Sequence, residues 1–247
     1  MQKKTEPHIV ILFARSLLFS IAVPVFAAFY SFVCIATFPL PMRYRCGTVM
    51  AWTRSVIWLL KVICHIDYRI EGLEHIKPHQ NGIIMSKHQS TWETFFLPSL
   101  FNQTAIILKR ELLWIPFFGW GLAVTSPIAI NRSHGVSAMA QIINKGKKCL
   151  DAGRWILIFP EGTRTAVGKI GKYRLGGARL AVETAYPVLP VAHNAGYFWP
   201  RRQFIKHPGT VHVVFGPMIE TKNCTADEVL AKTKNWIEET MIRINQE

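Results

Sequence analysis

The chain has 247 residues, half of them apolar, and carries 29 Lys and Arg against 15 Asp and Glu for a formal charge of +14. That apolar fraction excludes a disordered polyelectrolyte, and the length allows one sizeable core with an appendage. The positive balance calls for an anionic partner, whether nucleic acid, anionic lipid headgroup or phosphorylated substrate.

Residues 16–38 form an uncharged stretch of 23 positions. As a helix it is long enough to cross a hydrocarbon layer of about 30 Å. It is longer than the core of a signal peptide and lacks a clear small-x-small cleavage site, so it is expected to lie in or on a membrane. Pro24 is a candidate kink, and Pro39 and Pro41 end the stretch. Residues 42–66 read as a second helix, with Arg43, Arg54 and Lys61 on one side and Val49, Trp52, Val56, Leu59, Leu60 and Ile63 on the other. Such a helix either lies in the bilayer interface or packs on a protein core with a solvated basic edge, and its apolar neighbour favours the interface. Lys3, Lys4 and Arg15 precede the first stretch, and Arg43 and Arg45 follow it. With cations on both flanks, a hairpin that enters one leaflet and returns is preferred to a single span. Residues 1–66 are therefore expected to be a membrane anchor, and residues 67–247 an α/β domain.

From Asp67 onward short apolar runs alternate with amphipathic stretches, which predicts an α/β fold with a mostly seven-stranded mixed sheet flanked by helices. Strands are expected at 68–71, 82–86, 105–108, 127–130, 155–159, 188–192 and 211–215, and helices at 91–100, 136–152, 176–185 and 225–244. The last helix opens with Thr225-Ala226-Asp227-Glu228, a capping box in which hydroxyl and carboxylate satisfy free backbone amides. The five Cys, at 34, 46, 64, 149 and 224, form no C-x-x-C spacing and leave one thiol over in any intramolecular pairing. They read as reduced, buried thiols of a domain facing a reducing cytosol, with no zinc ligand set and no metal role.

Two stretches carry chemistry. His88 directly follows the strand at 82–86, at the carboxyl end where α/β sheets place functional groups, and Glu93 comes five positions later in the first turn of a helix. The carboxylate suits the task of fixing the imidazole tautomer and stabilising the imidazolium once His88 takes a proton. Alone the pair is weak: nine His and fifteen acidic residues give roughly 0.5 such pairs by chance, and Glu93 equally suits a plain first-turn acid. Phe159-Pro160-Glu161-Gly162-Thr163-Arg164 follows the strand at 155–159, and a chance match to six specified residues is roughly one in 10⁵ or rarer. Gly162 lets backbone amides approach a ligand, Thr163 offers a hydroxyl and Arg164 a planar fork, which together suit an oxyanion.

At this point the chain resembles the glycerolipid acyltransferase family, most closely its bacterial 1-acylglycerol-3-phosphate acyltransferases. The family's His-x4-Asp motif corresponds to His88 and Glu93. Its basic block with a Pro-x-x-Gly element resembles Lys109-Arg110-Glu111 through Pro116-Phe117-Phe118-Gly119. Phe159 through Arg164 matches its third block unchanged, and Val188-Leu189-Pro190-Val191 resembles its fourth. The blocks keep the family's order over about residues 65–220. The chain departs from the family in carrying Lys87 where Asn is common and Glu93 where Asp is common, the longer acid moving the carboxylate by about 1.5 Å unless the helix shifts.

The resemblance implies that His88 deprotonates the free hydroxyl of a lysophosphatidate as it attacks an acyl thioester, with Glu93 supporting the base and phosphatidic acid as product. It implies no cofactor beyond acyl-CoA or acyl carrier protein as co-substrate, and no covalent acyl-enzyme, so replacing all five Cys by Ser is expected to preserve the chemistry. Arg164, with Lys109 or Arg110, is expected to hold the acceptor phosphate. Glu161, Gly162 and Thr163 are expected at the same substrate site, and Arg132 is a further candidate there. Trp114, Phe117, Phe118 and Trp120 fit an acyl tunnel, a membrane-facing rim or plain core. The expected partners are lysophosphatidate, an acyl thioester and a lipid bilayer, with the catalytic domain on the cytoplasmic face of a bacterial inner membrane. The competing readings are acylation of another lysolipid or of glycerol 3-phosphate, and a non-catalytic basic module that binds phosphatidic acid. Nucleic-acid binding has no recognition motif to support it.

Overall fold

A computed structural model describes residues 8–101, 103–130 and 135–246. Lys3, Lys4 and Arg132 lie outside them. Helix α1 (Ile9–Ala36) begins before the uncharged stretch and includes Arg15, because a charge limits what lipid tolerates and not what a helix can contain. It continues through Pro24 and exposes an apolar outer face, with Val25, Phe29 and Phe32 each above 60% exposed. Helix α2 (Met42–Cys64) starts after Pro41 and stops at His65, which turns the chain in the left-handed conformation at φ 56°. By length and hydropathy both helices suffice to cross a membrane.

Of the two readings of α2, packing on a protein core is the one its apolar stripe adopts. Val56, Leu59 and Leu60 are buried in one cluster with Phe96, Leu157 and Val213 of the following domain. The Arg54 Nε donates to the Ser99 carbonyl at 3.0 Å. A protein surface offers the apolar stripe the same escape from water as a bilayer does, and here the protein surface takes it. Among the described residues, the large hydrophobic side chains of α2 that remain exposed are Tyr44, Trp58 and Val62.

The order continues β1 (Ile66–Glu71), β2 (Ile83–Ser86), α3 (Trp92–Leu100), β3 (Ala105–Lys109), α4 (Phe118–Ala123), β4 (Ile128–Ile130), α5 (Gly135–Asp151), β5 (Ile156–Ile158), α6 (Gly176–Thr184), β6 (Val188–His193), β7 (Gly209–Phe215) and α7 (Ala226–Gln246). The seven expected strands form one sheet, in the order β1-β7-β6-β2-β5-β3-β4. It is mixed as expected: β6 and β7 pair antiparallel and every other pair is parallel. Period-two alternation sorts its side chains. Ile84, Leu157 and Leu189 face α2 and α3, whereas Ile83, Ile156 and Val188 face α5 and α6. Helix α7 covers β6 and β7 through Ile237 and Met241 on Ala192 and Val214. Its capping box forms, with Thr225 N donating to Glu228 Oε2 at 2.7 Å and Glu228 N to Thr225 Oγ1 at 3.2 Å.

The sequence reading contains neither α4 nor the 3-10 turn Arg110–Trp114. Phe117 reverses the chain between them at φ 63°, ψ −61°, with the Phe118 amide donating to the Pro116 carbonyl at 2.7 Å. Gly119 is needed at that fold-back, because a Cβ there would lie 2.3 Å from the Leu113 carbonyl oxygen. This tight approach is what the Pro-x-x-Gly spacing encodes. Phe117 packs on Phe32 of α1, with ring centroids 6.1 Å apart, and Trp114 and Trp120 are left exposed beside it.

Candidate active site

Strand β2 lies between β5 and β6, paired Met85 with Ile158 and Ser86 with Val191. The loops that follow β2 and β5 therefore leave the sheet side by side, at its carboxyl edge. The first carries His88 and the second Phe159 through Arg164. They are stitched together: the Thr165 amide donates to the His88 carbonyl at 2.8 Å, and the His88 amide donates to Glu161 Oε2 at 2.9 Å.

His88 Nδ1 lies 2.9 Å from Glu93 Oε1. A carboxylate can only accept, so Nδ1 carries the proton and Nε2 is left as the acceptor of the ring. The ring stacks on Phe159, with centroids 4.0 Å apart at 17°, and borders a cavity of about 610 Å³. Glu93 is wholly buried. Its Oε1 also accepts the Gln89 and Ser90 amides, each at 2.9 Å, so the longer acid is accommodated by the amides of the loop that leads into α3. Burial pushes the Glu93 carboxyl up; the neighbouring His193 and His88 imidazoles, the hydrogen bond from His88 and the Ser90 amide outweigh it and hold the group below the ordinary carboxylate value. Glu93 Oε2 has no hydrogen-bond partner among the described residues and faces His193 Nε2 at 3.9 Å. His193, also buried, donates from Nε2 to the Lys87 carbonyl at 2.9 Å, and burial pushes its imidazole toward the neutral form.

Gly162, Thr163 and Arg164 line the cavity, and so does Lys109 at the end of β3. Gly162 sits at φ 69°, in the left-handed region that favours glycine. Arg164 is braced by a 2.5 Å bond from its Nη1 to Thr91 Oγ1. Two of the expected members that the structure describes stand apart. Arg110 does not line the cavity, because it starts the 3-10 turn that leaves the strand. Glu161 points away from the cavity into the protein, where Lys87 and the His88 amide take its oxygens. Arg132 lies outside the described residues. Arg174, which no motif marks, does line the cavity; its amide donates to the Pro160 carbonyl at 2.8 Å and so fixes it beside the second loop.

Most of the remaining lining is apolar. Trp52 of α2, Phe95 of α3, and Phe118 and Leu122 of α4 form one wall, and Ile107, Ile130 and Ile142 form the other. Three cations and a histidine acceptor thus line one largely apolar chamber, which suits an amphiphile with an anionic head. None of the five Cys lines it.

Residues 67–194, more than half of the chain, match the family model described as Acyltransferase. A Pseudomonas aeruginosa protein, 1-acyl-sn-glycerol-3-phosphate acyltransferase, is 47% identical over 218 residues, covering 87% of this chain and 84% of that one. The human 1-acyl-sn-glycerol-3-phosphate acyltransferase alpha is 26% identical over 213 residues, covering 83% and 75%. The crystal structure of the 1-acyl-sn-glycerophosphate acyltransferase of Thermotoga maritima superimposes with a TM-score of 0.81 at 22% identity, covering 95% of this chain and 96% of that one, and shares its fold.

Proposed function

The chain belongs to the Acyltransferase family, and from that premise we propose that it transfers a fatty acyl group from an acyl thioester to the free hydroxyl of 1-acyl-sn-glycerol 3-phosphate, forming phosphatidic acid. The observation that carries the reading is the His88–Glu93 hydrogen bond beside a mostly apolar cavity that Lys109, Arg164 and Arg174 also line. His88 Nε2 takes the hydroxyl proton as that oxygen attacks the thioester carbonyl. The new C–O bond forms, the C–S bond breaks, and the imidazolium returns the proton to the departing thiolate. Glu93 keeps the proton on Nδ1 and stabilises the charged ring between the two steps. The cations fix the acceptor phosphate, which turns a chance encounter into an oriented one.

The surroundings of His88 favour direct transfer over an acyl-enzyme. Ser90 Oγ donates to the Trp199 carbonyl at 2.7 Å and Ser86 Oγ to the Lys87 carbonyl at 3.0 Å, so both nearby serine hydroxyls are committed elsewhere. With all five Cys replaced by Ser, kcat is expected within about threefold of the parent's. Thermal stability should fall, since Cys34, Cys46 and Cys64 are buried. A steady-state assay beside a melting curve checks both.

Arg164→Ala is expected to raise the acceptor KM about 10- to 100-fold, the loss of one charge-assisted phosphate contact, with the donor KM unchanged. A change confined to the donor would remove Arg164 from the phosphate site. In our reading the apolar outer face of α1, with Trp114, Phe117 and Trp120 beside it, lies in one leaflet of a bacterial inner membrane and opens the cavity to lipid on the cytoplasmic face. Acyl-CoA and acyl carrier protein both present a thioester on a polyanionic handle. The test is purified protein with lysophosphatidate and labelled acyl-CoA or acyl carrier protein in parallel, with glycerol 3-phosphate and a second lysolipid as competing acceptors. Product from neither donor would favour a binding module.

A further inference from the structure

Directly behind His88 the chain buries a second set of charges that the transfer chemistry does not use. Lys87 is 1% exposed and does not line the cavity that His88 borders. Its Nζ donates to Glu161 Oε1 at 2.7 Å, to Glu238 Oε1 at 2.8 Å and to the Lys169 carbonyl at 3.5 Å, so all three ammonium protons are placed. The three partners come from two distant parts of the fold. Glu161 belongs to the loop after β5, Lys169 to its continuation, and Glu238 to α7, 151 residues from Lys87. The Tyr173 hydroxyl donates to the same Glu238 oxygen at 2.7 Å, and burial with that bond pushes the phenol up, keeping it a donor. Thr165 Oγ1 donates to Glu161 Oε1 at 3.1 Å, and His193 Nε2 holds the Lys87 carbonyl.

We propose that Lys87 is a positioning residue for acyl transfer: its buried ammonium, gripped by Glu161 and Glu238, clamps the His88 loop to the Glu161 loop and makes the carboxy-terminal helix part of the active-site scaffold. The link to His88 is one bond long. Glu161 uses Oε1 for Lys87 and Oε2 for the His88 amide, so whatever moves Glu161 moves the backbone that presents the imidazole. The charges make the link obligatory. One cation between two carboxylates leaves a buried net charge of −1. Removing the cation leaves −2: the two carboxylates keep their neutral donors, the His88 amide and Thr165 on Glu161 and Tyr173 on Glu238, but have no cation between them, and their burial makes that repulsion costly. Neutralising Glu238 as well returns the total to −1. An Asn at this position could not make such a clamp, since it has neither the charge nor the reach; the lysine and Glu238 act as a pair.

The inference rests on the acyltransferase reading only in using acyl transfer as one readout. In Lys87→Met, kcat is expected to fall about 100-fold while the acceptor KM stays within about threefold, because Lys87 touches no substrate. In Lys87→Met/Glu238→Gln, kcat is expected to recover at least tenfold over the single variant, a gain that a merely structural lysine or a phosphate-binding lysine would not give. Glu238→Gln alone, which weakens one charge-assisted bond, is expected to lower kcat about fivefold at unchanged KM; it decides the question if Lys87→Met does not fold. Labelling of His88 by diethyl pyrocarbonate, read by peptide mass spectrometry, should follow the same ranking without any acyl transfer: severalfold faster in Lys87→Met, near the parent rate in the double variant. Wild-type turnover thus tests the acyltransferase reading, and the ratios among variants test the clamp. Parent-like kcat and His88 labelling in Lys87→Met, an acceptor KM raised tenfold at full kcat, or a folded double variant no better than the single one would each overturn it.

Discussion

Replacing His88 by alanine is expected to lower kcat by about 10³- to 10⁴-fold, the upper range for removal of a general base, with lysophosphatidate still bound. The size follows from the site's economy of parts. Among the described residues that line the cavity, His88 is the one histidine, and the nearby serine hydroxyls already donate to backbone carbonyls. No neighbour is placed to take over the proton. The variant also loses the stack on Phe159 and one donor to the buried Glu93, so the melting temperature should fall by a few degrees with the fold intact. Steady-state kinetics with either thioester, beside a melting curve, give the answer. Activity within tenfold of the parent would mean that the proton goes elsewhere.

Glu93→Gln is the second large effect, and it separates charge from shape. The amide keeps nearly the volume of the acid and one oxygen to accept the Gln89 and Ser90 amides that Oε1 now receives. What is lost is the negative charge that lies 2.9 Å from His88 Nδ1 and stabilises the ring when it becomes cationic. A loss of about 10²-fold or more in kcat is expected, with KM for both substrates nearly unchanged. If turnover were near normal, Glu93 would be only a cap for α3. Because folding holds the Glu93 carboxyl below its ordinary value, its contribution to stability is present above the unfolded-state value and is lost as pH falls through the lowered one. The glutamine variant should therefore lose the part of the parent's acid-side stability change that belongs to this group. Denaturant midpoints measured from neutral pH down into the carboxylate range would reveal the difference.

Several features of this protein were legible in local pattern. The strands were readable because each is a short apolar run bounded by polar or turn residues. The capping box at Thr225 was readable because its two partners lie three residues apart. The Pro116-to-Gly119 fold-back was visible as a motif, though its α4 and 3-10 turn were not: the runs are too short for periodicity to register. Helix α2 is instructive in a different way. Its apolar stripe was legible and its recipient stayed open between lipid and protein, since a stripe states that a face must leave water and says nothing about whether lipid or α3 and the sheet will cover it.

By itself the sequence determined the α/β class, the seven strands and the place of His88 and of Phe159 through Arg164 at strand ends, all of which depend on neighbours within a few residues. Strand order was not so determined, and it alone puts β5 beside β2 and thereby the two loops in contact. Only the tertiary structure turned Glu161 inward, brought Arg174 to the cavity and set Glu238 of α7 on Lys87. The physical reason is the same in each case. Periodicity and capping are local balances of burial and hydrogen bonding, whereas the choice of partner for a buried charge is made across 70 or 150 residues by the way the sheet brings its edges and helices together.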